Sequence, residues 1–272
     1  MSTQSEIKKI TIPDIIALKE KGKRITALTA YDFLMAGMLD EAGIDIILVG
    51  DSLGMVVAGH PNTLPVSMDQ MIYHTTIVSR AVKHALVVGD MPFMSYQASV
   101  EQGIENAGRF LQEAGAEAVK IEGGRIVLPL VKKLVQLGIP VMGHLGLLPQ
   151  SIHKYGSYKL QGKDPEGAQQ LKEDAIMLQN AGCFSIVLEK IPADLAREVS
   201  QSLHIPTIGI GAGQHCDGQI LVSYDMLGIF DQFKPRFVRR YANLASQMRE
   251  AFRNYIKDVH AGKFPTDDES FK

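Results

Sequence analysis

The 272-residue sequence contains no tryptophan, only two cysteines, and no uninterrupted apolar run long enough to span a bilayer. Cys183 and Cys216 provide neither a disulfide framework nor a zinc-ligand spacing, which favours a reduced, cytoplasmic setting. Residues 1–9 are polar and lack the apolar segment of a secretory signal; they are expected to be loose. The 28 Lys and Arg nearly balance the 30 Asp and Glu, for a net charge of −2. The sequence pI is about 6.4. A chain of this kind has no basic stripe for nucleic acid, so small molecules, rather than nucleic acid or a membrane, are the expected partners. The missing tryptophan excludes nothing about function.

The 46% hydrophobic content is ample for one sizeable core, and a single domain spanning 1–272 is expected. The chain is organised around residues 43–54, Gly-Ile-Asp-Ile-Ile-Leu-Val-Gly-Asp-Ser-Leu-Gly. Residues 44–49 form a short β-branched run of the kind found in parallel strands buried on both faces. Where the run stops, Asp51 and Ser52 follow on a turn flanked by Gly50 and Gly54. Three later runs repeat the arrangement: Asp90 follows 85–89, Glu122 ends 118–121, and Glu189 ends 184–188. Further strands are expected at 24–30, 140–144, 206–210 and 219–222. Helices are expected between them, at about 33–41, 67–84, 99–114, 126–136, 164–182 and 192–203, with capping boxes at Ser67/Gln70 and Ser99/Gln102.

Eight short strands mostly alternating with helices indicate an α/β fold, a (β/α)8 barrel, with a doubly wound sheet as the alternative. A helix at about 11–22 precedes strand one and is placed to plug one end of a barrel covering about 24–264. Residues 211–218 are too few for a crossover helix between strands seven and eight, so a single turn is expected there. Two long loops are expected, 55–66 and 145–163; the second carries His153, Lys154, Tyr155, Tyr158 and Lys159 and is of a length usually found in functional or mobile segments. The stretch 235–259 has helical spacing.

Ligands and reactive groups in such folds gather beyond the carboxyl ends of the strands. Asp51, Asp90 and Glu122 are hard oxygen donors on three adjacent strands, a set suited to Mg²⁺ rather than Zn²⁺. The competing roles are capping of the following helices and pairing with arginine. Lys120 lies two residues before Glu122 and shares its face, where it can neutralise a substrate carboxylate or a developing enolate oxygen, or else snorkel to the barrel mouth. Glu189, beside Val187, Leu188 and Ile191, is the candidate general base, or the partner of Lys190 or Arg197. His144, ending strand five, can polarise a carbonyl, hold a substrate hydroxyl, or be a satisfied core histidine. The glycines of 209–213 can cradle an anion or form a tight turn, the turn being the commoner role; Cys216 has no evident activating partner. The residues thus point to metal-assisted proton abstraction beside the carbonyl of a 2-oxo acid.

Several segments in order carry a resemblance: Val49-Gly-Asp-Ser-Leu-Gly54, Asn62-Thr-Leu-Pro-Val66, Gly89-Asp-Met-Pro-Phe93, Val119-Lys-Ile-Glu-Gly123, Gly143-His-Leu-Gly-Leu147, Gly209-Ile-Gly-Ala-Gly213 and Cys216-Asp-Gly-Gln219. Together, over about 24–264, the chain closely resembles the ketopantoate (3-methyl-2-oxobutanoate) hydroxymethyltransferase family. The resemblance implies a TIM barrel of the phosphoenolpyruvate/pyruvate group. It also implies one-carbon transfer from 5,10-methylenetetrahydrofolate to 3-methyl-2-oxobutanoate, giving 2-dehydropantoate and tetrahydrofolate in pantothenate and coenzyme A synthesis. On that resemblance Asp51, Asp90 and Glu122 match the Mg²⁺ site, and Ser52, Asp90 and Lys120 match the oxo-acid contacts, with Asp51 adjoining through its backbone. Glu189 matches the general base, and His144 falls in a motif of the substrate pocket. A homodecamer of two pentameric rings is the implied assembly. The nearest competing activity is a Mg²⁺-dependent 2-oxo-acid lyase of the same barrel group, against which the absence of cysteine from 145–163 counts; a non-catalytic ligand sensor or scaffold is the competitor of a different class.

Overall fold

The computed structural model describes residues 8–231 and 235–271, so for 1–7 the expectation of a loose segment lies outside the described residues. Two compact units are present, Met1–Val222 and Ser223–Lys272. The first is a closed, all-parallel barrel of eight strands in sequential order. The strands are β1 (Ile25–Thr29), β2 (Ile46–Val49), β3 (Leu86–Asp90), β4 (Ala118–Glu122), β5 (Val141–Gly146), β6 (Ser185–Glu189), β7 (Thr207–Ile210) and β8 (Gly218–Leu221). All eight fall in the expected places. β3, β4 and β6 run one residue beyond expectation, making Asp90, Glu122 and Glu189 the last residues of their strands.

The helices of this unit are α1 (Ile12–Glu20), α2 (Phe33–Glu41), α3 (Leu53–Val56), α4 (Met68–Ala81), α5 (Val100–Gln112), α6 (Leu128–Gln136), α7 (Ile152–Tyr155), α8 (Pro165–Ala181) and α9 (Ala193–Ser202). Local chemistry sets their starts. Ser67 and Gln70 form the reciprocal capping box at α4. At α5 only half the expected box forms: Ser99 accepts from the Gln102 amide, while Gln102 Oε1 is buried without a hydrogen-bond partner. Two expected loops contain helix. α3 opens directly after the Asp51 turn, and 145–163 includes a 3-10 turn (Pro149–Ser151) and α7.

Strand parity builds the core. Ile25, Ala27, Ile46, Leu48, Leu86, Val88, Ala118 and Met142 pack with Ile15 of α1, so the first helix does plug one end of the barrel. Lys19, on the same helix, donates to the carbonyls of Ser200 and Ile205 and pairs with Asp217 at 2.9 Å. Asp217 Oδ2 also accepts from the Thr207 amide at 2.8 Å and hydroxyl at 3.0 Å. These bonds bring β8 back beside β7 across 211–217, which holds bends and no helical turn, contrary to the single turn expected.

The second unit contains α10 (Ser223–Met226), not foreseen from the sequence, and α11 (Leu244–His260). The helix expected from residue 235 begins only at Leu244. The residues before it are tied back to α10 and the turn after it instead, Tyr241 N–H donating to the Met226 carbonyl at 2.8 Å and Leu244 N–H to the Leu227 carbonyl at 3.0 Å.

Candidate active site

The interior face of the barrel changes character along each strand. Two residues past Val88, Ala118 and Met142 come Asp90, Lys120 and His144, and two past Lys120 comes Glu122. Pairing sets them side by side: Asp90 lies opposite Lys120, and Glu122 opposite His144. Lys120 Nζ is 2.7 Å from Asp90 Oδ1 and 3.7 Å from Glu122 Oε1. At 4% exposure Lys120 cannot be snorkelling to the mouth. Asp51 joins this cluster from the turn after β2, with its amide donating to Asp90 Oδ2 at 3.2 Å. None of the three acids caps the following helix, and none pairs with an arginine, among the described residues.

His144 links the cluster to Glu189. Its Nδ1 lies 3.5 Å from Glu122 Oε1 and its Nε2 lies 3.2 Å from Glu189 Oε2. The competing partners of Glu189 are engaged elsewhere, Arg197 with Asp194 and Lys190 with the Tyr158 carbonyl. Gly146 makes the Glu189 position possible: its φ is +94°, and a Cβ there would lie 2.2 Å from the Glu189 carbonyl oxygen. Lys190 itself sits at φ +50°, at a cost of order 1 kcal/mol, fixed by its amide on the Ile210 carbonyl at 2.8 Å and by Gln161 donating to its carbonyl at 3.0 Å. Ser52 exchanges a hydrogen bond of 2.8 Å with the Tyr31 hydroxyl rather than capping α3.

The sequence reading missed Gln150. From the 3-10 turn after β5, its amide nitrogen donates to Asp51 Oδ2 at 3.1 Å and to the Met91 carbonyl at 2.9 Å. Its backbone N–H donates to Glu122 Oε2 at 3.0 Å. Tyr96, also missed, donates its hydroxyl to Gln150 Oε1 at 2.8 Å and accepts from the Glu122 amide. The length of 145–163 was the one signal that pointed toward Gln150. Within 209–213, Gly209 and Ile210 end β7 and the chain then bends away, with Gly211 and Gly213 at positive φ. Both cysteines are buried and free, and burial pushes the Cys183 thiol up to about 12.

The electrostatics are dominated by burial. Burial lowers the Lys120 pKa, but Asp90, Glu122 and Asp51 outweigh it and hold the ammonium charged. Burial and Lys120, whose Nζ lies 3.3 Å from Nδ1, push His144 down, yet Glu122 and Glu189 raise it to about 9. Four carboxylates therefore face two cations. Asp51 gives way: burial first, then repulsion from Asp90 and Glu122, hold its carboxyl well above the usual range. Among the described residues no three His, Cys, Asp or Glu side chains form a ready-made metal cage. The all-oxygen donors and the excess of buried negative charge nonetheless fit a hard divalent cation that keeps waters and takes substrate oxygens. Asp51, Asp90 and Glu122 are the residues that would hold it.

The barrel with this charged rim belongs to a known structural class. Among solved structures, the chain is similar to phosphonopyruvate hydrolase in complex with oxalate and Mg²⁺, with a TM-score of 0.63, 13% identity, and coverage of 97% of this chain and 92% of that one. It is also similar to 2,3-dimethylmalate lyase, with a TM-score of 0.62, 17% identity, and coverage of 96% and 91%. At these identities the likeness establishes the fold alone, a closed eight-stranded TIM barrel. Within that class the chain belongs to the ketopantoate hydroxymethyltransferase family, whose model matches residues 9–267. The 3-methyl-2-oxobutanoate hydroxymethyltransferase of Syntrophus aciditrophicus is 56% identical over 271 residues, covering 100% of both chains. The enzyme of the same name from Christiangramia forsetii is 53% identical, covering 98% of both.

Proposed function

We propose that this protein is a hydroxymethyltransferase that moves a one-carbon unit from 5,10-methylenetetrahydrofolate to 3-methyl-2-oxobutanoate. Water is consumed, 2-dehydropantoate and tetrahydrofolate are formed, and the step feeds pantothenate and coenzyme A synthesis. Full-length identity to relatives of that name supports the overall reaction. The observation that supports the mechanism is the chain Lys120–Glu122–His144–Glu189, in which a buried ammonium and the Glu189 carboxylate share one rim.

A divalent cation, Mg²⁺ by the family resemblance, would be held by Asp51, Asp90 and Glu122 and would supply Lewis-acid polarisation of the oxo acid. The remaining work falls to the chain's own groups. Ser52 and the Asp51 backbone position the substrate carboxylate. Glu189 accepts the C3 proton, and His144, 3.2 Å away, orients it. As that C–H bond breaks, negative charge moves to the keto oxygen, and Lys120 meets it; buried and preorganised, the ammonium needs little rearrangement. Water opens the methylene bridge of the folate, so that tetrahydrofolate departs and the one-carbon unit is left at the oxidation level of formaldehyde; the nucleophilic carbon attacks that carbonyl, and the alkoxide formed takes up a proton to become the hydroxymethyl group. A homodecamer follows from the same family resemblance, and a cytoplasmic setting from the cysteine usage. No helix among the described residues is long and apolar enough to cross a membrane.

The test is a coupled assay with 3-methyl-2-oxobutanoate, methylenetetrahydrofolate and Mg²⁺, each omitted in turn. Turnover is expected only with all three. Release of a 2-oxo acid without folate would favour the lyase activity instead, and turnover that survives excess chelator would remove the metal assignment.

A further inference from the structure

The chain between β5 and α8 leaves from Glu189 and comes back beside it. At its start the Leu147 amide donates to the Glu189 carbonyl at 2.8 Å, and at its end the Gln161 amide donates to the Lys190 carbonyl at 3.0 Å. Between these two feet Gln150 bonds Asp51 and Glu122. A segment of this length with adjoining ends has the form of an Ω-loop, roughly 6–16 residues. A further tie closes the far side: Lys190 Nζ donates to the Tyr158 carbonyl. Gly156 and Gly162, at φ +65° and +66°, bracket the residues so held. Gly162 also lets the chain pass α9 closely, since a Cβ there would lie 2.7 Å from Leu195 Cδ2. Burial, then the charges of Glu189 and Asp51, push the Tyr158 phenol above its usual value, and burial with Glu122 does the same for Tyr155. The two tyrosines thus follow the rim acids, Tyr155 toward Glu122 and Tyr158 toward Glu189.

We infer that residues 147–161 arch over the proton-abstraction site and that Lys190 is the positioning residue that keeps the arch closed, an inference that rests on the transferase reading above. The chemistry gives the arch a task. Once Glu189 has taken the C3 proton, water can return one to the carbon before the one-carbon unit is in place. A cover that keeps water from the base and the carbon favours the productive path. Lys190 is suited to hold that cover. It directly follows the base, its amide is fixed to β7 through the Ile210 carbonyl at 2.8 Å, and its φ of +50° is kept by bonds at both its amide and its carbonyl. A strained residue held in this way from both sides is characteristic of clamps beside reacting groups. The tie ends on a backbone oxygen, so it needs the cationic donor of Lys190 and nothing of the Tyr158 side chain.

The test uses the full chain with 3-methyl-2-oxobutanoate, methylenetetrahydrofolate and Mg²⁺ in deuterated water, comparing wild type with Lys190→Asn and Lys190→Arg. Asparagine accepts a positive φ but is too short to reach the Tyr158 carbonyl, whereas arginine keeps a long cationic donor. Two quantities are read: C3 protons exchanged per product formed, and deuterium uptake by the amides of 156–163, followed by mass spectrometry without substrate. Lys190→Asn is expected to raise both about tenfold, and Lys190→Arg to stay within about threefold of wild type. Tyr158→Ala, which leaves the backbone tie in place, is expected to raise exchange per product about fivefold with amide uptake little changed. Exchange per product within about twofold of wild type in both Lys190→Asn and Tyr158→Ala would overturn the inference. So would a lower rate in Lys190→Asn with that ratio unchanged, the mark of a purely structural lysine. A wild type that neither exchanges the C3 proton nor forms product would instead sink the transferase reading, while amide uptake, which needs no substrate, would still decide whether Lys190 holds the arch.

Discussion

The two ends of the barrel interior are built by the same strands on the same pleat face, yet they do opposite work. At the end plugged by α1, Ile46, Leu86, Ala118 and Met142 pack with Ile15 as hydrocarbon. Two residues past Val88, Ala118 and Met142 of the same cluster, roughly 6.6 Å along, the face turns to Asp90, Lys120 and His144. Burial is nearly equal: Ile46 is 0% exposed, Asp90 2% and Lys120 4%. A buried methyl adds stability, whereas a buried carboxylate costs it unless paired. The rim is thus a store of unfavourable charge, tolerated because each group faces another, and the apolar half beneath it is the part whose burial offsets the cost. Substitutions in the two halves should therefore separate cleanly into losses of turnover and losses of stability.

The largest effect is expected for Glu189→Gln. Removing the base should lower turnover by about 10²–10⁴-fold and stop exchange of the C3 proton while the oxo acid still binds. Exchange at the wild-type rate in this variant would take Glu189 out of the base role. Lys120→Met comes next, with turnover lower by about 10²–10³-fold. The thermal midpoint should not fall in proportion, because the substitution also removes a buried charge; a collapse in stability with no specific kinetic loss would make Lys120 structural. In the other half, Ile46→Ala should cost about 2–5 kcal/mol in urea unfolding. The protein that remains folded should turn over at close to the wild-type rate, and a kinetic loss larger than the stability loss would break the division between the halves.

Gln150 lies between these cases, and it also marks where sequence reading stopped. The barrel was legible because its strands are short apolar runs ending in glycine or acid, and strand parity alone put Lys120 and Glu122 on one face. Asp51, Asp90 and Glu189 were legible for the same reason: a charge directly after a buried run is conspicuous. Gln150 carries no charge and belongs to no periodic pattern. Its place between Asp51 and Glu122 depends on the path of the chain after β5, which includes a 3-10 turn that local composition did not announce. α3 was hidden in the same way, by a glycine-rich turn, and the half-formed box at Ser99 shows that a motif's letters do not guarantee its second hydrogen bond. Gln150→Ala would leave Asp51 Oδ2 without its donor, and turnover should fall by about 10–100-fold, as for other residues that orient a charged site. An increase in the Mg²⁺ concentration needed for half-maximal rate would tie the loss to the acids; an unchanged metal dependence with a lowered melting point would assign Gln150 to packing alone.

The smallest effect lies outside the barrel interior. Asp40, near the end of α2, accepts from the backbone amides of Lys83 at 2.8 Å, His84 at 2.9 Å and Ala85 at 2.7 Å, fastening the entry to β3. Partial burial pushes its pKa up, but the three amides outweigh that and leave it below 3.8. A carboxylate with a depressed folded pKa contributes stability above its unfolded value, and the contribution is lost as pH falls through the folded one. Asp40→Asn should therefore cost about 1 kcal/mol at pH 7, a charged hydrogen-bond contribution discounted for solvent exposure. The gap between variant and wild type should narrow as pH drops below 3.8. Urea midpoints for both proteins from pH 7 into the acid range would show it. A gap that stays constant over that range would mean that the amides are held by the geometry of the turn and not by the charge of Asp40.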